Sequence, residues 1–253
     1  MEQTLRVLIA LGLTLLLVLL RLDAQRFGAA EYDEPVGGRP QSVIRRLAWY
    51  GIGVVGVVAI LFVHPSPGID LHLTVGNPLG AVVFGLAFGA AGVAQAVALA
   101  GLRYRRLRFP DFAAYPGAMA NQVATAFIDE ATFRGALFGY LLWTGINPNL
   151  AIVVQALVYV LATRLGAPGR DRNLFILTMV IGLVGGWITL VTGGIGASFL
   201  AHAITRIAVF LTTGHAGQPA PLGRETEEIA KTRATPDGWR VVERMGGDSG
   251  REH

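Results

Sequence analysis

Two short runs carry nearly all the chemistry available to the apolar part of this chain. The first is Asp129-Glu130-Ala131-Thr132-Phe133-Arg134. Glu130 and Arg134 are four residues apart with the acid first, the favoured order for an ion pair on one helix face. Asp129 is rotated by about 100° from Glu130 on a helix, so one arginine need not occupy both carboxylates. That pattern suits a general base, Asp129, activating water while Glu130 and Arg134 fix the helix. It equally suits a buried salt bridge beside a helix-starting acid, and spacing alone leaves both open. The second run places Ser198, His202 and Arg206 at successive i, i+4 positions on one face. His202 could donate to a developing oxyanion or move a proton, or it could be a packing histidine bonded to a carbonyl or to Ser198. One histidine and two adjacent carboxylates fall short of the three or four ligands usual for zinc. With no cysteine in the chain, thiol catalysis and thiolate metal sites are excluded.

The elements that must position these groups follow from composition. Of 253 residues, 53% are hydrophobic and 15% charged, and the mean hydropathy is +0.52. Soluble domains carry roughly 25% charged residues, so a soluble enzyme, a disordered chain and a disulfide scaffold are excluded. The expected fold class is all-α, a polytopic transmembrane helix bundle. Apolar runs predict helices over Leu5–Leu20, Leu47–Val63, Leu79–Leu102, Phe127–Trp143, Leu150–Ala162, Leu174–Leu190 and Ile195–Leu211. The milder segment Pro110–Ala126, which contains Asp111, Asn121 and Gln122, predicts an additional interfacial helix. The first apolar run reads as an anchor, because Arg21 and Arg26 follow it with no small-residue cleavage pattern.

The basic residues set the topology. Arg21, Arg26, Arg39, Arg45 and Arg46 fall after the first helix, Arg103, Arg105, Arg106 and Arg108 after the third, and Arg164, Arg170 and Arg172 after the fifth. Six more lie in the C-terminal tail, while the alternate connections His64–Asn77, Thr144–Asn149 and Val191–Gly194 carry none. Positive residues stay in the cytoplasm, which predicts about seven crossings, an external N-terminus and a cytoplasmic C-terminus. Arg6 can snorkel from a helix end. Asp129, Glu130, Arg134, His202 and Arg206 are then the ionisable groups of the membrane interior, and they converge in its cytoplasmic half. The pI near 9.8 therefore reflects membrane topology, and no nucleic-acid partner is expected. The pairs Gly85/Gly89 and Gly182/Gly186 predict close helix packing. Residues 1–213 form the expected bundle and 214–253 a polar, partly disordered cytoplasmic tail.

At these runs the chain resembles the CPBP family of membrane proteins, which includes CAAX prenyl proteases and bacteriocin-processing or Abi proteins. The family's first motif, two glutamates, three variable residues and an arginine, is matched by Asp129-Glu130-Ala131-Thr132-Phe133-Arg134-Gly135 with aspartate leading. The late histidine after a glycine-rich turn is matched by Gly193 and by Ala197-Ser198-Phe199-Leu200-Ala201-His202-Ala203. Tyr159-Val160-Leu161-Ala162-Thr163 matches the second motif with Thr163 at its histidine, and Arg206 stands where asparagine or aspartate is usual. The resemblance covers roughly 110–211. It implies an intramembrane endopeptidase in which a carboxylate activates water, Asp129 and Glu130 with His202 forming the catalytic set and Arg134, Thr163, Ser198 and Arg206 supporting it. It also leaves a divalent metal open. The three substitutions sustain an alternative: a pseudoprotease that binds a peptide, lipidated tail or membrane partner in the same cavity. The expected surroundings are the lipid bilayer of a prokaryotic plasma membrane, with a peptide or protein as substrate or partner. A transporter is disfavoured by the lack of an inverted repeat.

Overall fold

The computed structural model describes residues 2–24, 26–27, 29, 43–104, 108–110, 116–165, 172–213 and 239–241. The expectations for loop residues 30–42 and for most of the tail lie outside the described residues. Helix α1 (Glu2–Leu22) runs against α2 (Val43–Val63), followed by the short α3 (Pro67–Asp70) and the long α4 (Pro78–Tyr104). After a strand, β1 (Arg108–Pro110), come α5 (Pro116–Asp129), a π-helical segment (Glu130–Leu137) and α6 (Phe138–Trp143). The bundle continues with α7 (Pro148–Leu165), α8 (Arg172–Thr192) and α9 (Gly196–Thr213), and β2 (Trp239–Val241) pairs antiparallel with β1.

All seven predicted apolar helices are present. Their starts have local causes: at both α4 and α7 an asparagine precedes a proline. Asn77 Oδ1 accepts from the Gly80 N–H at 2.9 Å and Asn147 Oδ1 from the Asn149 N–H at 3.0 Å, while the proline supplies a preset first helical residue. Arg6 donates to the carbonyls of Val63 and Phe62 at 2.9 and 3.2 Å. A cation thus caps the C-terminal end of α2.

The glycine pairs pack the bundle internally. A Cβ on Gly85 or Gly89 would come within 2.8 Å of Leu200 or 2.7 Å of Ile204, so α4 lies directly along α9. Gly182 and Gly186 bring α8 equally close to Ala156 and Gln155 of α7. Before α9, Gly193 takes a left-handed φ of +76°, and the turn is clasped by the loop after α3. The Ile195 N–H donates to Thr74 O at 2.9 Å and the Asn77 N–H to Thr192 O at 2.8 Å.

Two expectations need correction. The segment expected as an additional helix over Pro110–Ala126 is not separate where it is described: from 116 the chain is helical, stays so at Asp129 and at Phe138, and runs without a break to 143. Its mild polarity arises because Asn121, Gln122 and Thr125 point inward and are buried. Arg21 is not a loop charge either. It lies within α1 and is buried.

The outward faces are apolar, and the buried charges lie inside among apolar side chains. Leu16, Ile44, Phe62, Leu79 and Leu86 are more than half exposed, whereas Asp129, Glu130 and Arg134 are buried. Glu2–Leu22, Ile44–Val63 and Pro78–Ala98 are long and apolar enough to cross a membrane, and Pro148–Thr163, Thr178–Thr192 and Gly196–Thr212 are shorter apolar helices. The chain is membrane-embedded, with lipid as the solvent of its outer faces.

Candidate active site

The π-helical segment sits at the centre of the bundle, in contact with α1, α7, α8 and α9. Wider i→i+5 turns of this kind often mark functional sites. The acids at its start, Asp129 and Glu130, face different partners. Asp129, immediately before it, is fully buried and faces α1, where Arg21 Nε lies 3.0 Å from its Oδ1. The N–H is not in line, so this is an ion pair without a formal hydrogen bond. Glu130 faces α9, where its Oε1 lies 2.7 Å from His202 Nδ1.

Arg134 is held from three sides. Its Nη1 is 3.3 Å from Glu130 Oε1, and its guanidinium carbon is 3.9 Å from the Tyr159 ring centre. Glycine at 185 leaves room for it, since a Cβ there would sit 3.1 Å from Arg134 Nε. The carboxylate and the aromatic face both stabilise a cation that would otherwise be strongly disfavoured in the core. Tyr159 also packs edge-on against His202, with ring centres 6.2 Å apart.

Glu130 and His202 lie on the wall of a cavity of about 110 Å³ between α4, α8 and α9. Ser198, Thr205 and Gln95 add polar groups, and Phe88, Val180, Val184 and Ile188 make up much of the apolar lining. The volume suits several waters rather than a ligand enclosed whole. With Nδ1 taken by Glu130, Nε2 is the ring nitrogen left to serve the cavity. The Ser198 hydroxyl donates to Ile195 O at 3.0 Å and lies 3.2 Å from the Thr189 hydroxyl.

Of the residues singled out from the sequence, the structure gathers Glu130, His202 and Ser198 on the cavity, with Arg134 behind them. Asp129, Thr163 and Arg206 are buried but do not line it. Among the described residues, Asp129 takes Arg21, and Arg206 Nε donates to Gln122 Oε1 at 3.0 Å.

Residues 112–208 match the family model described as Type II CAAX prenyl endopeptidase Rce1-like. This part of the membrane-embedded chain is similar to that family. The match falls on the segment where the motifs carry the resemblance and runs from before α5 into α9. Comparison with curated proteins and with solved structures gives no match. The described donor set of this core does not fit a resident divalent ion. Among the described residues no three His, Asp or Glu side chains come together, and Glu130 and His202 already bond each other.

Sequence reasoning missed Arg21, Gln122 and Tyr159 as partners of the core charges. A signal for Gln122 was present: Gln122, Thr125 and Asp129 stand at i, i+3 and i+7, a polar stripe on one helix face. Arg21 gave none, because an arginine ending a leucine-rich run reads as the first charge of a loop.

Proposed function

We propose that this protein is an intramembrane endopeptidase that hydrolyses a peptide bond near the cytoplasmic face, with Glu130 and His202 activating water. The observation that carries the reading is the 2.7 Å contact between His202 Nδ1 and Glu130 Oε1 on the wall of a water-sized cavity. A carboxylate on Nδ1 selects the tautomer that leaves Nε2 as a proton acceptor, the logic of carboxylate–imidazole bases generally. His202 Nε2 takes a proton from water as the water oxygen bonds to the substrate carbonyl carbon. The imidazolium is stabilised by Glu130, and the proton passes to the departing amine as the C–N bond breaks. Arg134 is the counter-charge of Glu130, and the apolar wall limits bulk water. In this reading Asp129 is a positioning residue that ties α5 to α1 through Arg21.

The distribution of basic residues supports seven crossings, an external N-terminus and a cytoplasmic tail. That orientation puts the site in the cytoplasmic half of a prokaryotic plasma membrane. The substrate is a membrane-adjacent peptide or protein segment entering between α4 and α8.

A second reading, a pseudoprotease that binds such a segment without cleaving it, is favoured by the pairing of Asp129 with Arg21 and by Thr163 in the histidine position. The test is cleavage of a membrane-adjacent peptide library by the detergent-purified full chain, read by mass spectrometry. Cleavage that disappears in Glu130→Gln and His202→Ala but persists in Asp129→Asn is expected. Retention of peptides without cleavage by the folded wild type overturns hydrolysis in favour of binding.

A further inference from the structure

Gln95 stands within the apolar span Pro78–Ala98 of α4. Its side chain is exposed, and among the described residues its amide has no hydrogen-bond partner. An amide left unpaired in an apolar medium is costly. Gln95 also lines the cavity that holds Glu130 and His202.

The packing of α4 fixes how far Gln95 lies from His202. Helices α4 and α9 run parallel: Gly85 meets Leu200, Gly89 meets Ile204, and Thr212 Oγ1 donates to Ala96 O at 3.4 Å. His202 is therefore level with Ala87. Gln95 stands about two turns, on the order of 11 Å, further toward the C-terminal ends of both helices. An extended chain rises about 3.3 Å per residue, so about three residues join the two points. Toward the other end of α4, Phe84 and Phe88 hold Trp187 of α8 edge-on, with ring centres 6.0 and 6.4 Å away. Past that clamp Ala91, Gln95 and Val180 line the cavity and are exposed, so it opens outward between α4 and α8 there.

We propose that Gln95 is a substrate-binding residue whose amide pairs with the peptide backbone about three residues from the bond held at His202. The inference rests on the reading of this cavity as a peptide site. A glutamine carries a carbonyl acceptor and N–H donors on one planar group, the same functions as a peptide unit. An extended segment entering between α4 and α8 brings backbone N–H and C=O groups that need partners. Ala91, Val180, Ile181 and Val184, which line the same opening, offer no side-chain hydrogen bond. Gln95 pairs one peptide unit at that depth. The substrate class is therefore a segment extended over at least three residues beside the cleaved bond. A segment that stays helical keeps its backbone groups bonded internally and gains nothing from Gln95.

The experiment uses the detergent-purified full chain and a library peptide that the wild type cleaves or retains, remade with a single N-methyl group at each backbone nitrogen in turn. Gln95→Leu keeps most of the side-chain bulk and suits the apolar surroundings, so its Tm is expected to equal or exceed that of the wild type. Its KM is expected to rise about 5–100-fold with kcat little changed, the effect of leaving a peptide group unpaired. In the wild type, a methyl about three residues from the cleaved bond is expected to cause a similar loss. In Gln95→Leu the same methyl costs nothing further. Where the wild type binds without cleaving, Kd replaces KM, and a methyl position that is silent only in Gln95→Leu upholds the role of Gln95 while hydrolysis fails. Cleavage with an unchanged KM in Gln95→Leu, or additive losses from variant and methyl, overturns that role and leaves hydrolysis standing. Should the variant not fold, the wild-type scan decides, and the absence of a sensitive position two to four residues from the cleaved bond overturns the inference. A folded wild type that neither cleaves nor retains any peptide overturns both.

Discussion

The pairing of Arg21 with Asp129 makes a prediction that separates a structural aspartate from a catalytic one. The two atoms are 3.0 Å apart and their side chains are 4% and 0% exposed. At an effective dielectric constant of about 20, opposite unit charges at that distance attract by roughly 5–6 kcal/mol before desolvation is subtracted. Removing one partner leaves the other buried and unpaired, at a cost of about 3–5 kcal/mol. Asp129→Asn preserves side-chain volume and Arg21→Met preserves most of the stem, so neither single change should act mainly through a cavity. Each is expected to lower Tm by roughly 6–20 °C for a bundle of this size. The double variant removes both charges together and should be no worse than either single one, giving a coupling of about 3 kcal/mol or more. Thermal unfolding of the four proteins in one detergent measures this directly. The double variant is further expected to cleave the same peptides as the wild type. Additive losses, or single variants within about 1 °C of the wild type, would refute the ion pair. A stable double variant without cleavage would return Asp129 to the chemistry.

Further predictions follow from other contacts. Glu130→Gln and His202→Gln are each expected to reduce kcat/KM by about 10²–10⁴, measured on a cleaved library peptide with Tm recorded alongside. Gly89→Ala places a methyl 2.7 Å from Ile204 Cδ1 and should cost about 1–3 kcal/mol by overpacking. Gly12→Ala in α1 meets nothing within 4 Å and should gain about 0.5–1 kcal/mol; paired melting curves check both. Phe109 and Arg240 are cross-strand partners, and the chain has no cysteine. Phe109→Cys with Arg240→Cys should therefore form an intramolecular disulfide under mild oxidant, visible as a gel shift reversed by thiol. A double-cysteine protein that stays reduced would remove the pairing of β1 with β2.

The helices were legible because each is an apolar run bounded by its own signals. Asn77-Pro78 and Asn147-Pro148 announce two starts, and Gly193 the turn before α9. Close packing at Gly85 and Gly89 was legible, since small residues four apart make a groove, but that α9 fills it was not. Pro110–Ala126 was read as a helix of its own because average polarity does not say which way a residue points. Asn121, Gln122 and Thr125 lower the mean hydropathy of a helix that keeps them inside. The clasp between Thr74 and Ile195 joins residues 121 positions apart, and no local pattern encodes it.

The candidate site shows most clearly what spacing does and does not determine. Adjacent helical residues diverge by about 100°, so two neighbouring carboxylates can hardly serve one small cavity together. Which one faces it depends on the phase of the helix, and that phase is set by remote contacts rather than by the motif. Arg21 on α1 draws Asp129 to one side, and His202 on α9 receives Glu130 on the other. A one-methylene-shorter acid at 129 is compatible with this division, because the partner there is a long, adaptable arginine. Thr163 and Arg206 follow the same logic: with Asp129 turned toward α1, neither side chain needs to meet it across a shared water. On the proposed mechanism, the three departures from the pattern of the matched family act as one change, which moves the acid–base role from the first carboxylate of the pair to the second.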